Sequence, residues 1–123
     1  MASMDISLKE MMAIDGSIGA AIVDHGSGMA LGALGGSKDL DLQVAAAGNT
    51  EVVKAKLRTM DSLGLNEAIE DILITLSGQY HLIRPISGRG GKGLFLYLAL
   101  DRGRANLALA RHHLKGIEEK LEV

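Results

Sequence analysis

The sequence predicts an α+β fold, a three-layer sandwich in which helices cover both faces of a five-stranded antiparallel sheet. Apolar residues recur with helical spacing in three segments and alternate as in strands in five others, in the order α-β-β-α-β-β-β-α. Two of the strand segments are apolar on both faces, which requires a layer of helices on each side of the sheet. Short turns join consecutive strands, so these neighbours should run antiparallel.

The composition fits one globular domain that spans residues 1–123. The chain has 123 residues, of which 47% are hydrophobic, and its three aromatic residues predict an aliphatic core. No segment stays apolar for the ~20 residues that a membrane span needs, and the N-terminus does not resemble a secretory leader. We therefore expect a cytoplasmic protein that does not insert into the membrane and reaches it only through partners.

Charge and cysteine content argue against several functional classes. Thirteen Lys and Arg against fifteen Asp and Glu give a net charge of −2, which offers no electrostatic footprint for nucleic acid. The chain has no cysteine, so it has no disulfide framework, no Cys-ligated zinc site and no thiol nucleophile. The absence of cysteine fits a protein of a reducing compartment.

The first elements are a helix and a hairpin. Residues Ser3 to Ile14 have apolar side chains at helical spacing, with Ser3 as the N-cap. Ser17 to Asp24 predicts a strand that is apolar on both faces. The turn residues His25-Gly26-Ser27-Gly28 separate it from a second strand over Met29 to Leu34.

A long helix is predicted from about Asp39 to Met60, and it carries two apolar stripes. The stripe that should pack on the sheet consists of Leu42, Ala46, Val53, Leu57 and Met60. The nearly opposite stripe consists of Leu40, Val44, Ala47 and Ala55, with Glu51, Lys54 and Arg58 interleaved. This second stripe needs another surface, and a second copy in a symmetric dimer is the expected source. The alternative is an alanine-rich face exposed to water.

Three strands and a helix complete the chain. The strands are predicted over Glu67 to Leu76, Gln79 to Ile86 and Leu94 to Leu100, and the last of these is apolar on both faces and therefore central. Pro85 indicates a sheet edge or the end of a strand. A final helix from about Arg104 has one apolar stripe, which consists of Leu107, Ala110, Leu114, Ile117 and Leu121.

The sequence resembles the Roadblock/LC7 family over nearly its whole length. Asp15 to Asp24, followed by Gly26 to Ala30, resembles that family's passage from the first helix into the hairpin, and the Ala45-Ala46-Ala47 helix follows where the family has one. The segments from Ile72 to Thr75, Tyr80 to Ile86 and Leu94 to Asp101 look like its three-strand meander. Arg104 to Arg111 is similar to the start of its last helix and is the most specific part of the match.

The resemblance implies a homodimer in which the long helix and the third strand meet their symmetry mates and join two sheets into one. The residues expected in that interface are Leu40, Val44, Ala47, Glu51, Ile72 and Ile74. Family members are not enzymes in their own right, and they regulate or scaffold nucleoside triphosphatases, from dynein assemblies to small Ras-like GTPases. This short chain resembles the free-standing prokaryotic type. Actinobacterial members of that type are encoded beside a small GTPase and a sensor-kinase-like membrane protein, and a relative in gliding bacteria is a GTPase-activating partner.

We therefore expect a non-catalytic regulator or scaffold of a small Ras-like GTPase in a signalling complex, with a sensor-kinase-like membrane protein as a further partner. One alternative is a structural adaptor that assembles a membrane-associated signalling complex without affecting GTP hydrolysis. The other alternative is a sensor of a small ligand.

The glycine-rich segment 87–93 does not meet the requirements of a phosphate-binding loop. Gly93 follows the lysine where Ser or Thr is needed, and Ile86 holds the position of the first glycine. Arg89 and Lys92 in this segment are candidate contacts to an acidic partner surface.

No residue pattern indicates catalysis or metal binding. His112 and His113 are adjacent and so cannot form the i, i+4 pair that binds zinc, while His25 is expected on a turn and His81 on the surface or at an edge. No arginine has a spacing that marks it as a finger for a GTPase. We therefore expect no catalytic residue, no cofactor and no metal.

Overall fold

The computed structural model describes residues 2–86 and 93–122, and these residues form three helices and five strands in the predicted order. The elements are α1 (Met4–Met12), β1 (Ser17–Asp24), β2 (Ala30–Gly35), α2 (Leu42–Ser62), β3 (Ile72–Thr75), β4 (Gln79–Pro85), β5 (Leu94–Asp101) and α3 (Leu107–Lys120). The strands form one sheet in the order β2-β1-β5-β4-β3, and all neighbouring pairs are antiparallel. The predicted fold class is confirmed.

Two apolar clusters fill the sandwich, one on each face of the sheet. α1 and α3 cover one face, where Leu98 of β5 belongs to the same cluster as Met11 and Leu114. α2 covers the other face, where Val53 belongs to the same cluster as Phe95. β5 lies in the middle of the sheet, and its residues 95–100 are each at most 1% exposed. The prediction that this strand is central and buried on both faces is therefore correct.

Each helix begins at a side chain that caps its first turn. The Ser3 hydroxyl accepts a hydrogen bond from the Ile6 N–H at 3.3 Å, as predicted for α1. The Asp41 carboxylate accepts from the N–H groups of residues 43 and 44, and the Asn106 amide oxygen accepts from the Leu109 N–H. These two caps set the starts of α2 and α3, each about three residues later than its apolar periodicity predicts.

β3 is much shorter than the predicted strand, because the chain leaves the sheet at Asp71. The Asp71 carboxylate accepts two hydrogen bonds from the Arg111 guanidinium of α3, at 2.8 and 2.9 Å. In this register Asp71 would lie opposite Arg84, and Glu70 would lie opposite Pro85, which has no N–H to donate. β3 therefore pairs with β4 only from Ile72 to Thr75.

β2 forms one edge of the sheet and is irregular. Its register with β1 shifts between Ile22 and Val23, so that Leu31 is an extra residue in a β-bulge. Gly28, just before β2, and Gly35, its last residue, have φ of +77° and +75°, a left-handed conformation that suits glycine. The ladder between β2 and β1 is therefore interrupted at Leu31, near the start of β2.

Candidate functional site

The outward side of α2 is uncovered and carries small and apolar residues with Glu51 and Arg58 among them. The opposite side, which includes Leu42, Ala46 and Val53, is buried against the sheet. On the outward side Val44 is 68% exposed, and Glu51 is exposed as well. The helix therefore carries a second stripe, as its periodicity predicts.

Gly48 lies on this outward side, in the middle of a helix of 21 residues. A Cβ atom built on Gly48 would meet nothing within 4 Å, so no contact within the described residues requires a glycine there. A glycine in a helix interior lowers stability by about 1 kcal/mol relative to alanine. The helix thus contains a destabilising residue that the packing of this chain does not explain.

β3 forms the second edge of the sheet and offers regular backbone groups. The Leu76 N–H donates to the Gln79 carbonyl at 2.8 Å, which sets the alternation of the β3–β4 ladder. By this alternation, Ile72 and Ile74 point their backbone groups toward β4, whereas Leu73 and Thr75 point theirs toward the open edge. The side chains of Ile72 and Ile74 are half-buried on the α2 face of the sheet.

A groove of about 470 Å³ joins α2 to β3. Its walls include Val52, Lys56 and Met60 of α2, Leu65 of the connecting segment and Ile72 of β3. The outward side of α2, this groove and the β3 edge therefore form one continuous surface, which we call the α2–β3 surface.

Most residues that the sequence places in a dimer interface lie on or beside the α2–β3 surface. Val44, Ala47 and Glu51 are exposed on α2. Ala47 lies at the border of this surface, near the β1–β2 turn. A Cβ atom added to Gly28 in that turn would be 3.7 Å from the Ala47 Cα. Ile72 and Ile74 lie on β3.

Leu40 does not lie on the outward side of the helix, and its placement in the second stripe is wrong. Its N–H donates to the Ser37 carbonyl in a turn before the Asp41 cap, and its half-buried side chain packs against the α2-side core. Arg89 and Lys92 lie outside the described residues.

Sequence reasoning missed Val52 and the groove beside it. Val52 points between the two stripes of α2, so neither stripe includes it. Its neighbour Ile72 is distant in sequence, and their proximity depends on the strand order. One feature of the sequence could have indicated this groove. Val52 is a β-branched apolar residue at a helical position that belongs to neither stripe.

His81 lies beside Ile74 in the sheet and connects β4 to β5. Its Nε2 is 2.7 Å from Gln79 Oε1, and its Nδ1 is 3.2 Å from the Tyr97 hydroxyl oxygen. Because an amide oxygen only accepts, Nε2 carries the proton and Nδ1 accepts from the Tyr97 O–H. Burial lowers the pKa of His81 and raises the pKa of Tyr97 to about 12.

The expectation that His81 is a surface or edge residue is wrong for the edge, and its side chain is half-buried. β4 lies inside the sheet, between β5 and β3, so His81 has a neighbouring strand on each side.

Residues 2–86 and 93–122 contain no group of three or more His, Asp or Glu side chains arranged to hold a metal ion. None of the helices in these same residues is long and apolar enough to cross a lipid bilayer.

Comparison with protein-family models gives no match for this sequence, and no curated protein sequence matches it. Solved structures do match. The Roadblock/LC7 domain from Streptomyces avermitilis is similar with a TM-score of 0.78 at 12% identity, over 96% of this chain and 93% of that one. The chain has the Roadblock/LC7 fold.

Two further structures are similar to this Roadblock/LC7 fold. MglB from Myxococcus xanthus matches with a TM-score of 0.73 at 17% identity, over 93% of this chain and 77% of that one. The gliding protein MglB from Thermus thermophilus matches with a TM-score of 0.70 at 18% identity, over 94% and 88% of the two chains. The fold that the sequence resemblance implies is therefore confirmed.

Proposed function

We propose that this chain is a homodimeric, non-catalytic regulator or scaffold of a small Ras-like GTPase in a signalling complex, as the family resemblance implies. The observation that carries the proposal is the α2–β3 surface. This surface combines an uncovered apolar helix side with an open strand edge, and both belong to elements that the resemblance places in the dimer.

A second copy of the chain is the occupant that suits this surface. A two-fold axis beside β3 would let the outward backbone groups of Leu73 and Thr75 pair with the same groups of the partner, and the two sheets would become one. The α2 helices, each about 30 Å long, would then lie against each other. Close approach of the two helices would explain the glycine at position 48.

The dimer is tested by placing a charge on the outward side of α2. Val44→Lys should shift the protein from dimer to monomer in light scattering after gel filtration, because a buried unpaired lysine is strongly unfavourable. Val44 is largely exposed, so the fold of the single chain should persist. Leu109→Lys is the control, since Leu109 is exposed on α3 at the other face of the sheet. An unchanged mass for Val44→Lys would contradict the proposed dimer.

Four of the five arginines in residues 2–86 and 93–122 have partners within the chain, which supports regulation without an inserted arginine, and the fifth, Arg58, is exposed on α2. Arg84 pairs with Glu118, Arg104 with Asp101, and Arg111 with Asp71. Arg102 donates to the Leu76 carbonyl at 3.1 Å and lies over the Tyr80 ring. We propose that the chain acts by reshaping the active site of the GTPase, with Arg89 and Lys92 as contacts to an acidic patch of that partner. Loss of stimulated hydrolysis with intact binding in an Arg→Ala variant would contradict this mechanism.

The partner is tested by a pull-down from the lysate of the source organism, with the purified chain as bait. The lysate is supplemented in parallel with a non-hydrolysable GTP analogue and with GDP. Retention of a small GTPase with the GTP analogue alone supports an effector or activator and justifies hydrolysis assays. Equal retention with both nucleotides would reduce the function to a passive scaffold, and retention of no GTPase would contradict the proposal.

A further inference from the structure

The half-buried ring of His81 lies on the α2 side of the sheet, one strand away from the open β3 edge. His81 is opposite Ile74 of β3 and Ala99 of β5, and both of these residues belong to the α2-side cluster. The ring stands edge-on to the Tyr97 ring of the same cluster, with the ring centroids 5.5 Å apart. α2 packs mainly over β1 and β2. The exposed part of His81 therefore faces the junction between α2 and β3.

The hydrogen bonds of His81 suit a neutral ring. Nε2–H donates to Gln79 Oε1, and the lone pair of Nδ1 accepts from the Tyr97 O–H. A proton on Nδ1 would occupy that lone pair. The Tyr97 O–H, which has no other acceptor within residues 2–86 and 93–122, would then lose its hydrogen bond in a residue that is 0% exposed.

The charged groups around His81 do not hold its ring in the neutral form. β3 carries no charge, and the Asp101 carboxylate at the end of β5 accepts a hydrogen bond from Arg104. Burial lowers the pKa of His81, and no charged side chain of the described residues contributes to this shift. Any further enclosure of the ring should therefore disfavour its protonated form more strongly. The charged residues of the neighbouring α2–β3 surface are Glu51, Lys56, Glu67, Glu70 and Asp71.

We propose that His81 makes the dimer sensitive to pH, so that protonation of its ring separates the two chains. The inference rests on the proposed dimer. Two α2 helices that lie against each other above paired β3 strands would enclose the α2 side of β3 and β4, and water would lose access to His81. An imidazolium ring is poorly solvated there and is better tolerated in the separate chain. The dimer thus binds fewer protons than two single chains, and its association weakens as the pH falls.

The first experiment measures the dissociation constant of the dimer by analytical ultracentrifugation between pH 7.5 and pH 5. NMR of the His81 ring in the monomeric Val44→Lys variant gives the pH at which half of the single chains are protonated. At that pH the dissociation constant should be about fourfold above its value at pH 7.5, because each of the two chains contributes a factor of about two. It should rise further at lower pH.

Three outcomes would overturn the inference. A monomer at pH 7.5 would overturn the proposed dimer together with the inference. A dimer whose dissociation constant is the same at every pH would overturn the inference alone. Circular dichroism at each pH separates dissociation from unfolding, and loss of the folded signal together with the dimer would also overturn the inference.

Two variants assign the effect to His81. His81→Gln keeps a polar side chain that cannot be protonated in this range, so the rise of the dissociation constant should disappear. All other titratable groups of the surface remain in this variant, so a rise that persists would belong to them and would overturn the assignment.

Tyr97→Phe removes the hydroxyl that favours the neutral ring, so the rise should begin at a higher pH. Tyr80→Phe is the matched control, since Tyr80 packs on the other face of the sheet and should leave the onset unchanged. If His81→Gln does not dimerise at any pH, Tyr97→Phe still tests the proposal. An onset that does not move in Tyr97→Phe would overturn it.

Discussion

Arg84 of β4 and Glu118 of α3 form a buried ion pair between the sheet and the last helix. The Arg84 Nε donates to Glu118 Oε1 at 3.1 Å, and the two side chains are only 10% and 7% exposed. Their neighbours in this layer are mainly aliphatic. Each charge therefore depends on the other for its stability in a poorly solvated site.

Removal of one member of this pair should be costly. Glu118→Ala should lower the free energy of unfolding by about 3 kcal/mol or more, because it leaves the Arg84 guanidinium buried without its partner. The double variant Arg84→Met, Glu118→Leu should recover most of this loss. Urea unfolding measures both changes.

An exposed ion pair provides the comparison. Arg104 pairs with Asp101 at 3.1 Å, but the two side chains are 64% and 42% exposed. Arg104→Ala should therefore change the free energy of unfolding by less than about 1 kcal/mol. Equal effects of Glu118→Ala and Arg104→Ala would show that burial does not govern the strength of the Arg84–Glu118 pair.

The stability of the fold should depend on pH through His81. Burial lowers the pKa of His81 below its ordinary value of 6.5, so the unfolded chain takes up this proton at a higher pH than the folded chain. The contribution of neutral His81 to the free energy of unfolding is thus fully present above pH 6.5. It is lost as the pH falls through the lowered pKa. Urea unfolding between pH 5 and 7.5 should show this slope. His81→Gln should flatten it.

The carboxylates with shifted pKa values should titrate below this window. Hydrogen bonds from Ser27 and Gly26 lower the pKa of Asp24 below its ordinary value of 3.8. Hydrogen bonds from Gly103 and Arg104 do the same for Asp101. If the pH dependence of the free energy of unfolding between pH 5 and 7.5 were unchanged in His81→Gln, this would contradict the role of His81.

Two helical glycines allow the stability of one chain to be separated from its self-association. Added Cβ atoms at Gly48 of α2 and Gly116 of α3 would meet nothing within 4 Å. Gly48→Ala and Gly116→Ala should therefore each stabilise the folded chain by about 1 kcal/mol, measured by urea unfolding in the monomeric Val44→Lys background. In the unaltered background only Gly48→Ala should weaken the dimer, as measured by analytical ultracentrifugation. Equal dimer affinity for both variants would contradict close approach of the α2 helices.

The Ser7 hydroxyl should destabilise the fold. Ser7 is 0% exposed in α1, and its Oγ has no hydrogen-bond partner within the described part of the chain. Ser7→Ala should raise the free energy of unfolding by about 1 kcal/mol, because the polar group is removed with little change of volume. Ser17→Ala is the matched control with the opposite sign, since the Ser17 Oγ donates to the Met11 carbonyl at 2.7 Å. Thermal unfolding of Ser7→Ala and Ser17→Ala measures the two changes in stability. A loss of stability in Ser7→Ala would contradict the expectation.

The order of the elements could be predicted because their signals are local. Each helix has its own apolar period and each strand its own alternation, and the double-sided burial of β5 follows directly from its composition. The extent of β3 could not be predicted in this way. Its start depends on the pairing of Asp71 with Arg111, and these residues are 40 positions apart.

The part of the α2–β3 surface that depends on α2 alone could be predicted from the sequence. The part that depends on the arrangement of the strands could not. The exposure of Val44 follows from helical periodicity. The family resemblance implies the position of β3 at an edge, but the groove between Val52 and Ile72 and the half-burial of His81 require the strand order β2-β1-β5-β4-β3. This order is a property of the assembled sheet, and the sequence of the chain alone does not reveal it.

The irregular β2 edge limits how far such chains can polymerise. Its residues 30–35 carry no charge, and an uncharged edge strand can template the addition of further chains into fibrils. The bulge at Leu31 breaks the spacing of backbone groups that an incoming strand would need, and the left-handed Gly28 and Gly35 flank the short stretch that remains. The β3 edge has no such interruption. Growth of the sheet is thus confined to one edge of each chain, so pairing of the kind proposed at β3 stops at two chains and does not continue into a filament.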